Sequence, residues 1–499
     1  MSLYYQSTRN SKVKVTASEA ILTGLAADGG LFVPEEIPKL DVSLERLKGM
    51  DYQETALEVL KRFLTDFTEE ELKDCIQKAY DEKFDTEVIA PLAKAGDVYY
   101  LELFHGATIA FKDMALSILP HLMTAAARKN QVDKEIVILA ATSGDTGKAA
   151  MAGFADVEGT RIIVFYPRDG VSQVQKLQMI TQKGKNVDVA AVTGNFDDAQ
   201  SGVKALFEDR DLAKELAERG YQFSSANSIN IGRLVPQIVY YVYAYAKLLE
   251  NEEIASGEKI NVVVPTGNFG NILAAWYAKQ MGLPIDKLVC ASNDNKVLFD
   301  FFQTGVYDKN RKFQVTISPS MDILISSNLE RLIYEISGRD SEKTRRWMEE
   351  LKVCGHYEIP EEMRGKLGDF LAGYATEKET ASWIRQVYKK TGYLIDPHTA
   401  VAAKVCEEVK AQDRTVGKYV VISTASPYKF AKTVLTAVAE QYKDVDEIEL
   451  LPELEKVSGI PVPKAVREIL GAKIRHKTEC GPKEMKETVK QILGLQKLG

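Results

Sequence analysis

Six short apolar runs punctuate this chain, at Glu135–Ala141, Arg161–Tyr166, Asn186–Val192, Ile260–Val264, Leu288–Ala291 and Tyr419–Ile422. Between them lie stretches of helical spacing such as Met114–Arg128 and Leu234–Leu249. Strands buried on both faces read as continuous apolar runs, so this alternation predicts α/β architecture from about Tyr99 onward. A chain of 499 residues exceeds a single core, and two or three packed domains are expected.

The N-terminal part has a different rhythm. Leu44, Leu47, Ala56, Val59 and Leu60 recur at helical spacing, and Thr68 with Glu71 forms a capping box. Residues 1–95 are assigned to a mainly helical N-terminal region, 96–225 to a smaller α/β domain and 226–499 to a larger one. The larger domain is expected to carry a helical insertion near 302–373 and helices near Pro463–Leu470 and Pro482–Leu493.

A net charge of −7 argues against nucleic acid or an anionic membrane surface as the main partner, and an anionic ligand would need a local basic pocket. The five cysteines are scattered without a C-x-x-C pair, which disfavours a disulfide framework or structural zinc. The start lacks an apolar leader, and no run of about 18 apolar residues occurs. A reducing, cytoplasmic setting is expected.

Three apolar runs end in turns rich in glycine or hydroxyls: T-S-G-D-T-G at Thr142–Gly147, G-N-F-G-N at Gly267–Asn271 and S-T-A-S-P at Ser423–Pro427. In open α/β sheets such turns gather at the carboxyl ends of the strands, where ligands bind. The stretch H-G-A-T-I-A-F-K-D, His105–Asp113, sets Lys112 after three apolar residues. Burial would disfavour its ammonium form and leave an amine able to form a Schiff base, although a lysine here could equally extend its head to water. Asp113 is expected to cap the helix that follows. G-D-T-G-K resembles the end of a nucleotide phosphate loop, but Thr142 stands where that motif needs Gly, and Ala149 where it needs Ser or Thr. Tyr240, Tyr241, Tyr243 and Tyr245 suit helix packing.

With D-G-G-L-F-V-P at Asp28–Pro34, N-S-I-N-I-G-R at Asn227–Arg233 and D-P-H-T-A-V-A at Asp396–Ala402, the ordered motifs resemble those of the threonine synthase family, in its longer bacterial and fungal form. The resemblance covers nearly the whole chain. It implies pyridoxal-phosphate (PLP) fold type II, tryptophan synthase β-like, with the cofactor between two α/β domains. By that resemblance Lys112 holds PLP and moves protons, and Gly267, Asn268, Phe269, Gly270 and Asn271 bind the cofactor phosphate. Thr424 would face the pyridine nitrogen. Asp145 would lie near the phenolic oxygen, though relatives often carry Asn there, which leaves that partner open.

For the substrate, the resemblance implies Thr142, Ser143 and Thr146 at its carboxylate and Asn227, Ser228 and Arg233 at its phosphate. On sequence alone Asn227 or Ser228 could instead cap a helix that carries Arg233 on its surface, and Thr424 could serve only its own turn. His105 and His398 sit in family motifs without metal spacing, and no metal is expected. The implied reaction converts O-phospho-L-homoserine and water to L-threonine and phosphate, by a monomer or homodimer. A threonine dehydratase-like PLP lyase and an inactive threonine-synthase-like binding protein are the alternatives.

Overall fold

The computed structural model describes residues 2–142, 145–169, 171, 173–412 and 415–495, the side chain of residue 145 excepted. Two parallel sheets organise it. The larger has six strands in the order Phe370–Tyr374, Ile285–Ser292, Ile260–Pro265, Lys418–Ser423, Val98–Glu102 and Leu92–Ala95. All neighbours are parallel except the last pair, an antiparallel hairpin. The smaller sheet runs Thr478–Cys480, Val187–Val192, Thr160–Pro167, Glu135–Ala141 and Tyr221–Ser224, parallel throughout.

Period-two alternation decides which face each side chain takes. In the smaller sheet Ile136, Ile138, Ile162 and Val164 face a core shared with the N-terminal helices, while Val137, Leu139, Ile163 and Phe165 face Val203 and Leu206 on the opposite side. In the larger sheet Val262 and Val264 join that same shared core, whereas Val263, Val289 and Val421 pack under Val401 and Val405. The helix Ile231–Glu250 is apolar nearly all round because it runs through the shared core.

The N-terminal region contains the helices Tyr52–Phe63 and Glu69–Ala79, the latter opened by the Thr68–Glu71 capping box. It also contains an antiparallel sheet, Asn10–Val15, Tyr5–Ser7 and Phe32–Pro34. The expected helix 114–128 is two pieces, Asp113–Leu116 and Leu119–Lys129. Pro120 has no N–H to offer the carbonyl of Leu116, so the first piece ends there.

The boundary expected near 226 falls between Tyr221–Ser224 of the smaller sheet and Ile260–Pro265 of the larger, but two strands depart from the expected division. Val98–Glu102 pairs with Lys418–Ser423 of the larger sheet, and Thr478–Cys480 returns to Val187–Val192 of the smaller one. A parallel strand is joined to its neighbour by a crossover of any length, so sequence proximity does not name its sheet.

Candidate active site

A cavity of about 490 Å³ opens between the two sheets. It is lined by Phe111, Lys112, Thr146, the segments Asn227–Ile229 and Pro265–Asn271, Arg233, Ser320, His398 and Thr424, among others. Eleven residues expected from sequence thus meet on its wall: Lys112, Thr146, Asn227, Ser228, Arg233, Gly267, Asn268, Phe269, Gly270, Asn271 and Thr424. The charged or titratable side chains among its described lining residues are Lys112, Arg233 and His398, with no carboxylate.

Lys112 stands at the start of the short helix Asp113–Leu116 and is half-buried. Its Nζ donates to Ser320 Oγ at 3.2 Å and lies 5.4 Å from the Phe111 ring centre. The loop before it is pinned twice to the turn after Lys418–Ser423: Phe111 N donates to Thr424 O at 2.8 Å, and Ala110 bridges Ala425. Asp113 does not cap the helix. Its buried carboxylate closes the loop backward instead, accepting from Thr108 N at 2.8 Å and Thr108 Oγ1 at 2.6 Å.

The G-N-F-G-N turn joins the buried strand Ile260–Pro265 to the helix Gly270–Gln280. Phe269, the residue at its N-cap, adopts left-handed φ of 63° and supplies no side-chain cap, so the first N–H groups of the helix, on residues that line the cavity, lack a side-chain acceptor at the cap. A Cβ on Gly267 would lie 2.6 Å from the carbonyl oxygen of Ser320, so only glycine admits this approach. Asn271 Oδ1 accepts from Tyr240 OH at 2.8 Å and also from Tyr241 OH, while its buried Nδ2 has no partner in the protein. The tyrosine series is therefore helix packing for Tyr243 and Tyr245, and support for a cavity residue at Tyr240 and Tyr241.

Arg233 lies in the first turn of Ile231–Glu250, buried, with Nη1 donating to Ala226 O at 3.0 Å and Nε unpartnered among the described residues. Burial alone pulls its guanidinium down to about 10. No counter-charge to it is found among the described residues, and a buried cation in that position is costly until an anion meets it. Asn230, not Asn227 or Ser228, caps this helix, its side chain accepting from Gly232 N at 2.8 Å. Asn227 and Ser228 are thereby left to the cavity wall.

Thr142 lies beneath the wall, its hydroxyl engaged in accepting from Gly147 N at 2.9 Å, a bond that opens the following helix. Ser143 falls outside the described residues, and of Asp145 only its place at the start of the helix Asp145–Phe154 is described. His105 is away from the cavity, between Asp85 at 2.6 Å and Glu102 at 2.9 Å. Burial opposes its charged form, but these two bonds outweigh burial and raise the ring to about 9.

The insertion contributes what sequence reasoning missed. Ser320, Met321, Ile325 and Ser327 line the cavity, and Asn328 Nδ2 donates to Asn268 O at 3.0 Å and Ser228 O at 3.3 Å. Buried Arg331 adds a tie to the N-terminal sheet, donating to Phe32 O at 2.9 Å as well as to Asn328 and Ile229. The only trace in sequence is a polar S-P-S and S-S-N pattern within an otherwise charge-rich stretch.

Three family profiles match the chain: "Threonine synthase N terminus" over residues 4–80, "Pyridoxal-phosphate dependent enzyme" over 86–425 and "Threonine synthase, C-terminal" over 399–477. A threonine synthase-like 1 protein of Macaca fascicularis is 42% identical over 88% of this chain, which spans 60% of that relative's length. The threonine synthase of Saccharomyces cerevisiae is 36% identical over 92% of this chain and 94% of its own. The crystal structure of PLP-bound threonine synthase from Brucella melitensis superposes with a TM-score of 0.87 at 36% identity, covering 98% of this chain and 99% of that one.

Proposed function

Because this chain belongs to the threonine synthase family of pyridoxal-phosphate-dependent enzymes, we propose that it converts O-phospho-L-homoserine and water to L-threonine and phosphate. The observation that carries this reading is the cavity wall, free of carboxylates among the described residues, on which buried Arg233 lies together with Lys112 and the helix start at Gly270, which has no side-chain cap. A substrate with two anionic ends and a cofactor with a phosphate need such a wall.

The residues present fit the cofactor. The Gly267–Asn271 turn would take its phosphate on backbone N–H groups and the unpartnered Asn271 Nδ2, and Lys112 would hold its aldehyde carbon. The Thr424 hydroxyl would face the pyridine nitrogen, and Asp145 would stand toward the phenolic oxygen. When bound, pyridoxal phosphate supplies an electron sink beside the substrate's α-carbon.

Arg233, with Asn227 and Ser228, would grip the substrate phosphate through a planar fork. Thr146, with Ser143 and the Thr142 turn, would orient the carboxylate. Lys112 Nζ would take the proton from Cα and return protons along the chain. In balance, the Cγ–O bond breaks and phosphate departs, one proton leaves Cβ and one arrives at Cγ, and water gives its hydroxyl to Cβ and its other proton to the phosphate. We place the enzyme in a reducing, cytoplasmic setting on its five unpaired cysteines, and expect a small-molecule substrate and a monomer or homodimer.

A second reading, a chain that keeps the site but not the whole reaction, draws on its higher identity to threonine synthase-like 1 than to the yeast enzyme. Supplying O-phospho-L-homoserine with PLP decides between them. Equal release of threonine and phosphate supports the synthase. Phosphate with 2-oxobutyrate and no threonine indicates a deaminating lyase, and neither product a binding protein.

A further inference from the structure

The D-P-H-T-A-V-A motif has no part in the chemistry so far, yet its histidine lines the cavity. Asp396 is fully buried and caps the helix Pro397–Ala411, accepting from His398 N and Thr399 N at 3.0 Å each. The same carboxylate lies 2.6 Å from His398 Nδ1. On the far side of the ring, His398 Nε2 accepts the backbone N–H of Ser320 at 3.1 Å. A carboxylate can only accept and an amide N–H can only donate, so the ring is held as one tautomer, with its proton on Nδ1. The Phe430 ring, 5.0 Å away, closes its remaining side.

Ser320 is therefore not a loop residue that happens to approach Lys112. Its N–H is fixed by His398, its carbonyl packs against Gly267, and its Oγ accepts from Lys112 Nζ at 3.2 Å. One residue of the insertion thus joins the anion-binding turn, the buried Asp396–His398 pair and the amine. The other titratable groups among the described residues lining this cavity are Arg233 and His398.

We propose that Asp396, His398 and Ser320 are positioning residues that aim the Lys112 amine, an inference that rests on the role given to Lys112 above. Ser320 Oγ holds Nζ at one point on the cavity wall. The imidazole sets where that Oγ stands, and Asp396 sets the imidazole. Because an ammonium donates a stronger hydrogen bond than an amine, Ser320 also favours the protonated form of Lys112.

The test reads Lys112 itself. The full-length chain, freed of cofactor, is labelled with trace acetic anhydride across a pH series, and the Lys112 peptide is quantified by mass spectrometry. Ser320→Ala is expected to move the labelling midpoint down by about one pH unit, the difference between a charged and a neutral hydrogen bond. His398→Leu should move it the same way, and His398→Gln, which can still accept from the Ser320 N–H, should bring it back. In the loaded enzyme Ser320→Ala should lower kcat about tenfold while KM stays within about threefold.

An unmoved midpoint in Ser320→Ala, with its thermal transition retained, overturns the proposal. Equal midpoints for His398→Gln and His398→Leu remove His398 from it, and should His398→Leu fail to fold, Ser320→Ala decides alone. A wild-type chain that makes no threonine but shows the midpoint difference sinks the proposed reaction and leaves this inference standing.

Discussion

Two basic side chains, Lys112 and Arg233, face one cavity, and each has its own consequence. Lys112→Ala should abolish turnover and the visible absorption band of the bound cofactor while leaving the thermal transition within a few degrees, since the side chain is only half-buried. Wild-type-like turnover would remove Lys112 from the chemistry. Arg233→Met should raise KM for O-phospho-L-homoserine about 10- to 100-fold, the worth of a charge-assisted hydrogen bond. Saturating inorganic phosphate should raise the melting temperature of the wild type by about 2–4 °C and leave that of Arg233→Met unchanged, because only a site that binds ligand gains from it. At this scale the motifs located Lys112, the Gly267–Asn271 turn and Arg233 on the cavity, whereas Thr142 and His105, also motif residues, do not line it. It was illegible at Ser320 and Asn328, whose contacts to Lys112 and Asn268 span 208 and 60 positions. No local pattern encodes a pairing that distant.

Elements were legible in proportion to their periodicity. Glu135–Ala141 has the expected bounds, four other apolar runs lie within one residue of a strand and Leu288–Ala291 starts three residues inside Ile285–Ser292, whereas Met114–Arg128 was misjudged because its apolar spacing masks Pro120. In the N-terminal sheet Tyr5–Ser7 and Phe32–Pro34 are too short to carry a clear period, and Asn10–Val15 is mostly exposed. Between elements, His105 ties the loop at Asp85 to the end of the strand Val98–Glu102. Its ring is raised to about 9 in the folded protein, above its ordinary 6.5. A raised histidine contributes stability that is fully present below about pH 6.5 and is lost as pH climbs through about 9. The melting temperatures of wild type and His105→Gln should therefore differ most at pH 6 and converge by about pH 9.5; a constant gap across that range would show the ion pairs to be inert.

Across the whole molecule, architecture class was legible and partition was not. Each sheet borrows a strand from the other's stretch of sequence, Val98–Glu102 for the larger and Thr478–Cys480 for the smaller. The second loan is secured by Met485 and Val489, buried against the core of Val203 and Leu206. A chain ending at residue 477 loses those contacts, at roughly 1.5–3 kcal/mol per buried side chain, and bares the edge of Val187–Val192. It should melt well below the full chain and scatter light on heating; an unchanged transition would mean the last strand is dispensable. The first loan has a consequence in time. Val98–Glu102 leaves the ribosome early, but its parallel partner Lys418–Ser423 follows about 300 residues later, some 15–60 s at ordinary elongation rates. Through that interval the lysine loop has been translated while Thr424, the turn that pins it, has not. The amine is thus denied its finished pocket until about 300 further residues have been made, because the turn at Thr424 that pins its loop comes that much later.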